Sequence, residues 1–279
     1  MTDAYSTLKT SLTSGVAHVV IDNPPINLLD AALMTDLDRF ADAMSGDHDI
    51  RVIVFDSADP DFFVAHGDMT TAEDPSTFVA LPIALERDQS LNPMMRLHER
   101  IRSLPQITIA KLRGLARGGG AELLSAMDMR FASLERAGMA QMECRLGIIP
   151  GAGGTAYLPG LVGRARALEI ILGGQLIDAA TAERIGWVNR AVPDTELDHV
   201  VDTLAVRIAT LPSGAARAAT EAVDAAVEST THGLRKANEL LNELFGESAA
   251  ARLVEAALAA GAQTRDGERH LEALVDKIT

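Results

Sequence analysis

Apolar positions along this chain follow two periods, and the order in which they alternate predicts an α/β fold. Tyr5–Leu12 and Val16–Asp22 flank Thr13-Ser14-Gly15, which predicts an N-terminal hairpin whose second strand stops at Pro24-Pro25. Asp30 then caps a helix, because Leu33, Leu37, Phe40 and Met44 recur at helical spacing. Val52-Ile53-Val54-Phe55 is a continuous apolar run, as expected of a strand covered on both faces in a parallel sheet. Leu91–Leu104 predicts a helix despite Pro93, and Ile107–Leu112 a second β-branched strand.

Gly118–Gly120 reads as a tight turn from which a helix over Ala121–Met129 opens directly. The order strand, loop, carboxylate of residues 52–68 thus recurs at 107–122. Glu143 follows a short strand-like segment, and Gly151–Gly154 leads into Ala156 and a helix through Arg164–Leu172. Asp178 caps a further helix that ends at Gly186, and Trp187–Val192 makes a strand.

From Asp194 onward strand signals vanish, and Ala-rich helices follow, with breaks at Pro212, around Gly233 and at Gly261–Gly267. The expected division is an α/β core with the active site over residues 1–195 and a helical oligomerisation region over 196–279. Thr70 to Asp88, with Pro75 and Pro82, has mixed polarity and no clear period. It is expected to border the site as a mobile loop or to form a plain surface excursion.

Composition narrows the class. A chain of 279 residues that is 47% apolar can bury a sizeable core, and it fits one large domain with an appendage. Leu146–Gly163 carries no charge over 18 residues, but eight of them are Gly or Pro, so it reads as a buried or active-site loop and not a membrane span. Met1–Thr10 has no apolar run, so a cytoplasmic address is expected. Cys144 is the only cysteine, which excludes an intrachain disulfide and a Cys-based zinc site. The seven histidines form no His-x-x-x-His pair, so no metal is expected.

A net charge of −14 argues against nucleic acid or an anionic membrane as a partner. One stretch runs the other way, with Arg96, Arg100, Arg102, Lys111, Arg113 and Arg117 against the single acid Glu99. These are either solvated helix and loop charges or a cradle for an anionic cofactor.

The chemistry concentrates in two glycine-rich stretches. Arg117-Gly118-Gly119-Gly120-Ala121-Glu122 and Glu143-Cys144-Arg145-Leu146-Gly147-Ile148-Ile149-Pro150-Gly151-Ala152-Gly153-Gly154-Thr155 each join a carboxylate to glycines. Glycine lets a backbone approach a ligand and aim its N–H groups, and a carboxylate beside it can move protons. Gly151–Ala156 formally fits the dinucleotide pattern G-x-G-x-x-A, but Pro150 stands where the strand should end. No phosphate-binding G-x-x-x-x-G-K-[ST] loop and no G-x-S-x-G elbow occurs. Gly118–Gly120 has two readings: a sharp strand-to-helix turn, or a helix start whose N–H groups bind a developing negative charge.

Phe63-Val64-Ala65-His66-Gly67-Asp68-Met69, then Gly118–Leu123, then Glu143–Thr155 resemble the ordered signatures of the crotonase, or enoyl-CoA hydratase/isomerase, family. Asn27, Gly163–Ala167, Gly173–Ala179 and Ile185–Val188 extend the likeness, which is strong over residues 8–195 and weak onward to Lys277. The resemblance implies an α/β spiral of strand–strand–helix units. It implies oxyanion-hole N–H groups at Gly67 and Gly119, and hydratase carboxylates at Glu122 and Glu143. Ala65, His66, Asp68, Gly118, Leu146, Gly151 and Lys277 would then contact the substrate, Lys277 near the coenzyme A phosphates.

The activity so implied is addition of water across the 2,3-double bond of a 2-enoyl-CoA, with Glu122 deprotonating the water and Glu143 protonating C2. Coenzyme A is then part of the substrate and no cofactor is expected. The family also holds isomerases, hydrolases and decarboxylases of CoA thioesters, and a non-catalytic acyl-CoA-binding protein would share the fold. A homotrimer or dimer of trimers is the implied assembly. The chain departs from the family pattern at His66, which replaces a usual glycine, at Met142, which replaces a common proline, and at Ala156-Tyr157. His66 either packs or faces solvent on this reading, or alters the loop of the first donor. Cys144 reads as a small core residue.

Overall fold

β-Branched and aromatic runs build the interior of the main sheet, and a largely polar, exposed strand forms one edge. In the computed structural model, which describes residues 5–72, 75–211, 215–225, 235, 238–239, 241–243 and 248–278, strands β1 (Leu8–Thr13) and β2 (Val16–Ile21) form the N-terminal hairpin. Its turn uses Ser14 and Gly15, both at positive φ, which suits the twist of a two-residue hairpin loop. Helix α1 (Ala31–Ser45) is capped by the Asp30 side chain, and its buried face includes Leu33, Leu37, Phe40 and Met44. Strands β3 (Val52–Ser57), β5 (Ile107–Leu112), β7 (Met129–Ser133) and β10 (Arg190–Val192) add parallel neighbours in the order β1-β2-β3-β5-β7-β10. Val52 to Phe55 are buried throughout, as the apolar run predicts.

A second sheet matters more for the site. Strands β4 (Phe62–Val64), β6 (Leu115–Arg117), β8 (Gly138–Ala140) and β9 (Ile177–Asp178) lie in that order, with β4, β6 and β8 parallel. Each of these three follows a strand of the main sheet, so β3–β4, β5–β6 and β7–β8 are successive turns of a spiral. The strand–strand–helix spiral expected from the resemblance is observed. Parallel pairing sets the carboxyl ends of β4, β6 and β8 side by side, and loops leaving those ends converge.

Several boundaries differ from the sequence reading. Pro93 starts helix α3 (Pro93–Arg102) behind an Asn92 cap and does not interrupt a longer one. Helix α4 (Gly119–Ala126) begins two residues before Ala121 and ends before Met127, whose backbone is extended. Buried Arg130 takes the carbonyls of Leu124, Met127 and Trp187 there, ending the helix with a cation. Residues 154–173 make two helices, Gly154–Val162 and Arg164–Gly173, because Gly163 adopts positive φ between them. The strand expected over Trp187–Val192 is confined to Arg190–Val192, while Trp187 is fully buried and donates to Ser125.

The segment 70–88 holds a 3-10 turn, Met69–Ala72, and a short helix, Pro75–Val79. Arg96 is buried and donates to the carbonyls of Leu81, Ile83 and Leu91, so a helix side chain organises the irregular run beside it. After helix Asp194–Ala209, which covers the outer face of the main sheet through Leu197, Val201 and Ala205, the described chain is helical. The breaks expected at Pro212 and Gly233 lie outside the described residues; Gly261 does follow helix Ser248–Ala259.

The two layers are locked where α4 starts. A Cβ on Gly120 would sit 2.2 Å from the Val64 carbonyl oxygen and 2.9 Å from the Val64 Cβ, so the helix reaches β4 only as glycine. Gly120→Ala is therefore expected to destabilise the fold by about 1–3 kcal/mol through forced separation of the layers. A thermal unfolding curve matching wild type would contradict that close approach.

Candidate active site

The three loops that leave β4, β6 and β8 deliver Gly67, Gly119 and Glu143 to one cavity of about 100 Å³. Helix α4 adds Glu122 one turn after Gly119, and the walls are largely apolar, with Met69, Phe78, Met94, Met142, Ile148, Ile149, Leu241 and Val254. His66, Asp68, Gly118, Leu146 and Gly151 also line it, as the resemblance implies. Ala65 and Lys277 do not. Ala65 is fully buried beside Ile26 and Phe62, with its backbone bonded to Ile26 and Arg117, and Lys277 is exposed on the last helix, Leu271–Ile278.

Gly67 and Gly119 stand close enough to act on one atom. A Cβ on Gly119 would lie 3.2 Å from the Gly67 nitrogen. The His66 carbonyl accepts from Leu29 N–H at 2.9 Å, and in a trans peptide this turns the Gly67 N–H the opposite way. Gly119 is the first residue of α4, so its N–H has no partner inside the helix. One backbone donor at a helix start and one in a neighbouring loop, both beside a cavity, are suited to an oxygen that gains negative charge.

Both carboxyl groups are held out of water. Glu122 is 1% exposed and its Oε1 accepts from Ala152 N–H at 2.8 Å and Gly154 N–H at 2.7 Å. Burial outweighs these bonds and pushes the carboxyl up to about 7. Glu143 is 9% exposed, and burial first, then the Glu122 charge, raises it well above the ordinary carboxylate range. Gln141, with its amide turned so that nitrogen faces Glu143, donates to Oε1 at 2.9 Å and Oε2 at 3.0 Å. Both carboxyls are thus held above the ordinary range, Glu143 partly by the Glu122 charge, so the two share protons as a pair near neutral pH.

Glycine makes room for both. A Cβ on Gly118 would meet Glu143 Oε1 at 3.1 Å, and one on Gly154 would meet Glu122 Oε1 at 3.1 Å. The loop that binds Glu122 is itself held from behind. Asn92 Nδ2 donates to the Gly151 carbonyl at 2.7 Å, in the same peptide unit whose N–H, on Ala152, reaches Glu122. His98 Nδ1 donates to the Ala152 carbonyl at 2.7 Å, and full burial lowers that ring to about 4, which keeps it neutral.

Sequence reasoning did not single out Asn92, His98 or Gln141, nor the walls from Phe78, Leu241 and Val254. The Asn-Pro step at 92–93 signals a cap, but nothing local says what the cap's amide touches.

The basic run from Arg96 to Arg117 forms no open cradle. Arg96 binds loop carbonyls, Arg100 pairs with Asp38 and Asp42, Lys111 with Asp56 and Asp198, Arg113 with Asp194 and Asp198, and Arg117 with Glu272. Acids answer Arg100, Lys111, Arg113 and Arg117, while backbone carbonyls answer Arg96 and Arg102 is exposed. His66 is packed, with both ring nitrogens bonded. Cys144 is half-buried against the core, and burial followed by the Glu143 charge raises its thiol, which leaves it protonated. Among the described residues no group of three or more His, Cys, Asp or Glu converges as a metal site, and no helix is long and apolar enough to cross a membrane.

Comparison with known proteins agrees with this geometry. The family model for enoyl-CoA hydratase/isomerase matches residues 11–263. A "Probable enoyl-CoA hydratase" of Rhizobium meliloti is 35% identical over 245 residues, covering 87% of this chain and 91% of the relative. The crystal structure of "a putative enoyl-CoA hydratase from Streptomyces avermitilis" superposes with a TM-score of 0.93 at 46% identity, covering 99% of each chain. The Pseudomonas aeruginosa DspI structure gives 0.72 at 30% identity, covering 88% of this chain and 97% of that one. These matches establish that the chain belongs to the enoyl-CoA hydratase/isomerase, or crotonase, family.

Proposed function

We propose that this protein hydrates 2-enoyl-CoA thioesters to 3-hydroxyacyl-CoA. The observation that carries the reading is the pair of buried carboxyls on the cavity that also receives the Gly67 and Gly119 backbones. In the proposed reaction Glu122 takes a proton from water as the water oxygen bonds to C3. Electron density moves through the conjugated system onto the thioester oxygen, where the two N–H groups stabilise it. Glu143 then gives its proton to C2. The raised value at Glu143 suits a proton donor, and the backbone bonds on Glu122 Oε1 leave Oε2 to hold the water.

Coenzyme A enters this scheme only as the substrate's handle, with no separate cofactor, and Lys277 is assigned to its phosphates. His66, Asp68, Gly118, Leu146 and Gly151 are assigned to the bound acyl-thioester, the apolar walls to its chain. The division at residue 195, a cytoplasmic address, and assembly as a homotrimer or dimer of trimers through residues 196–279 belong to the same proposal. Val206, Leu211 and Val223 support the last point, since they are exposed apolar side chains on the helical region. Light scattering should give a mass of three or six chains; a stable, active monomer would overturn this assembly.

Glu122→Gln and Glu143→Gln should each keep thioester binding and lose hydration of crotonyl-CoA by about 10²- to 10⁴-fold, followed as loss of the conjugated enoyl absorbance. Wild-type kcat/KM should trace a bell, falling below about pH 7 as Glu122 takes a proton and falling again at higher pH as Glu143 loses its own. Near-wild-type activity in either variant sinks the role assignment.

The same burial has a cost in stability with a defined sign. Folding raises both carboxyls above their unfolded values, so the folded state binds more protons, and stability falls as pH rises from about 4.5 through about 7. Denaturant unfolding at pH 5 and pH 8 should show wild type weaker at pH 8, and Glu143→Gln should reduce that difference. A difference undiminished in the variant would count against the desolvated pair.

A further inference from the structure

Each backbone donor closely follows a buried basic side chain, and both side chains are gripped from one C-terminal segment. His66 precedes Gly67 and is 4% exposed; Arg117 stands two residues before Gly119 and is 0% exposed. His66 Nε2 lies 2.8 Å from Glu268 Oε1, and Nδ1 lies 2.8 Å from the Gly67 carbonyl oxygen. Each ring nitrogen faces an acceptor, so both bonds are made together only when each nitrogen carries a proton. Glu268 is fully buried and also accepts the Gln263 N–H at 2.6 Å. Burial acts to raise its carboxyl, but His66, Gln263 and Arg117 outweigh that and hold it below the ordinary range.

Arg117 meets the adjoining helix of the same segment. Its Nε donates to Glu272 Oε1 at 2.7 Å and its Nη2 to Oε2 at 3.2 Å, while Nη1 lies 4.0 Å from Glu268 Oε2. The segment also reaches the first loop through Gln263, whose amide donates to Asp68 at 3.0 Å, and the β3–β4 turn through Arg265 and Arg269 on Asp59 and Asp61. Charges buried this way gain little net stability, because desolvation offsets the attraction, whereas their geometry fixes position.

What they fix is the aim of two peptides. Leu29 pins the His66 carbonyl and the Asp68 N–H, and the His66 ring pins the Gly67 carbonyl, so both peptide units around Gly67 are anchored. On the second loop Arg117 N–H binds the Ala65 carbonyl and Gly118 N–H the Ala140 carbonyl, while the Arg117 side chain is held by Glu272.

We propose that Glu268 and Glu272 are positioning residues for the oxyanion hole, acting through His66 and Arg117 to aim the N–H groups of Gly67 and Gly119. This rests on the reading of those N–H groups as oxyanion donors. The hole is then complete only when residues 263–272 are docked, so the C-terminal segment is a working part of the site and more than a cover.

The test uses the full-length protein with butyryl-CoA carrying ¹³C at C1, a saturated thioester that has no double bond to hydrate. In difference infrared spectra the bound carbonyl stretch of wild type should move to lower frequency than that of free ligand. Glu268→Gln and Glu272→Gln should each lose part of that shift and lower kcat for crotonyl-CoA by about 10- to 100-fold, with KM within about threefold. Arg269→Gln, which breaks an exposed pair of the same segment, should leave both readings at wild type. A wild-type shift retained in full by both carboxylate variants, with kcat unchanged, overturns the positioning role; no shift in wild type overturns the oxyanion reading beneath it. Should the variants not fold, ¹⁵N spectra of histidine-labelled wild type at neutral pH decide the His66 arm. Protons on both His66 nitrogens support it, and a neutral ring overturns it.

Discussion

Two carboxyl groups held out of water against one cavity are the constraint on which the rest of this structure depends. A lone buried carboxyl would simply stay protonated, and two ionised ones would repel each other with little solvent to screen them. The fold resolves this by treating them differently. Glu122 receives two backbone N–H bonds on one oxygen, which favours its ionised form and partly offsets burial, while Glu143 is raised by burial and further by the Glu122 charge. Glycines at 118 and 154 leave the space, since a methyl group at either would press on a carboxyl oxygen.

That arrangement needs an accurate frame, and parallel strands supply it. β4, β6 and β8 pair in parallel, with a register shift between Phe62 and Val64 of β4, so the residues just past their carboxyl ends are neighbours although they are far apart in sequence. Gly67, Gly119 and Glu143 occupy equivalent places on three turns of the spiral. The loops themselves are irregular, and their geometry is set from behind: Asn92 and His98 on the loop that binds Glu122, Leu29 and His66 on the first donor, Arg117 on the second. Each support is a buried polar group with a defined partner, which in a low-dielectric interior holds direction well.

The acidic balance of the chain takes on a local meaning in this frame. Glu268 and Glu272 face inward to basic side chains beside the donors, and Asp38, Asp56, Asp194 and Asp198 answer the basic run of residues 100–113. Those pairings largely cancel, so the net charge of −14 is carried mainly by the acids outside them. Phe78, Leu241 and Val254 arrive at the cavity from segments separated by much of the chain, joining the apolar walls to the later helices.

Local pattern alone determined the elements: the hairpin at Thr13–Gly15, the Asp30 and Asp178 caps, the buried strand at Val52 and the helix opening at the glycines before Glu122. These depend on dihedral preference and on spacing within a few residues, which a sequence carries directly. The ordered glycine and glutamate motifs further marked Gly67, Gly119, Glu122 and Glu143, because a loop that must approach a ligand restricts which residues it can hold. Only the tertiary structure decided that Asn92 supports the Glu122 loop, that Val254 walls the cavity, that Arg117 is buried and not a cofactor's cradle, and that His66 is gripped by Glu268. Those relations join residues dozens to hundreds of positions apart, and no periodicity encodes which distant side chain arrives. The partner of a buried charge is chosen by packing, where the penalty for an unpaired group is felt only once water has been excluded.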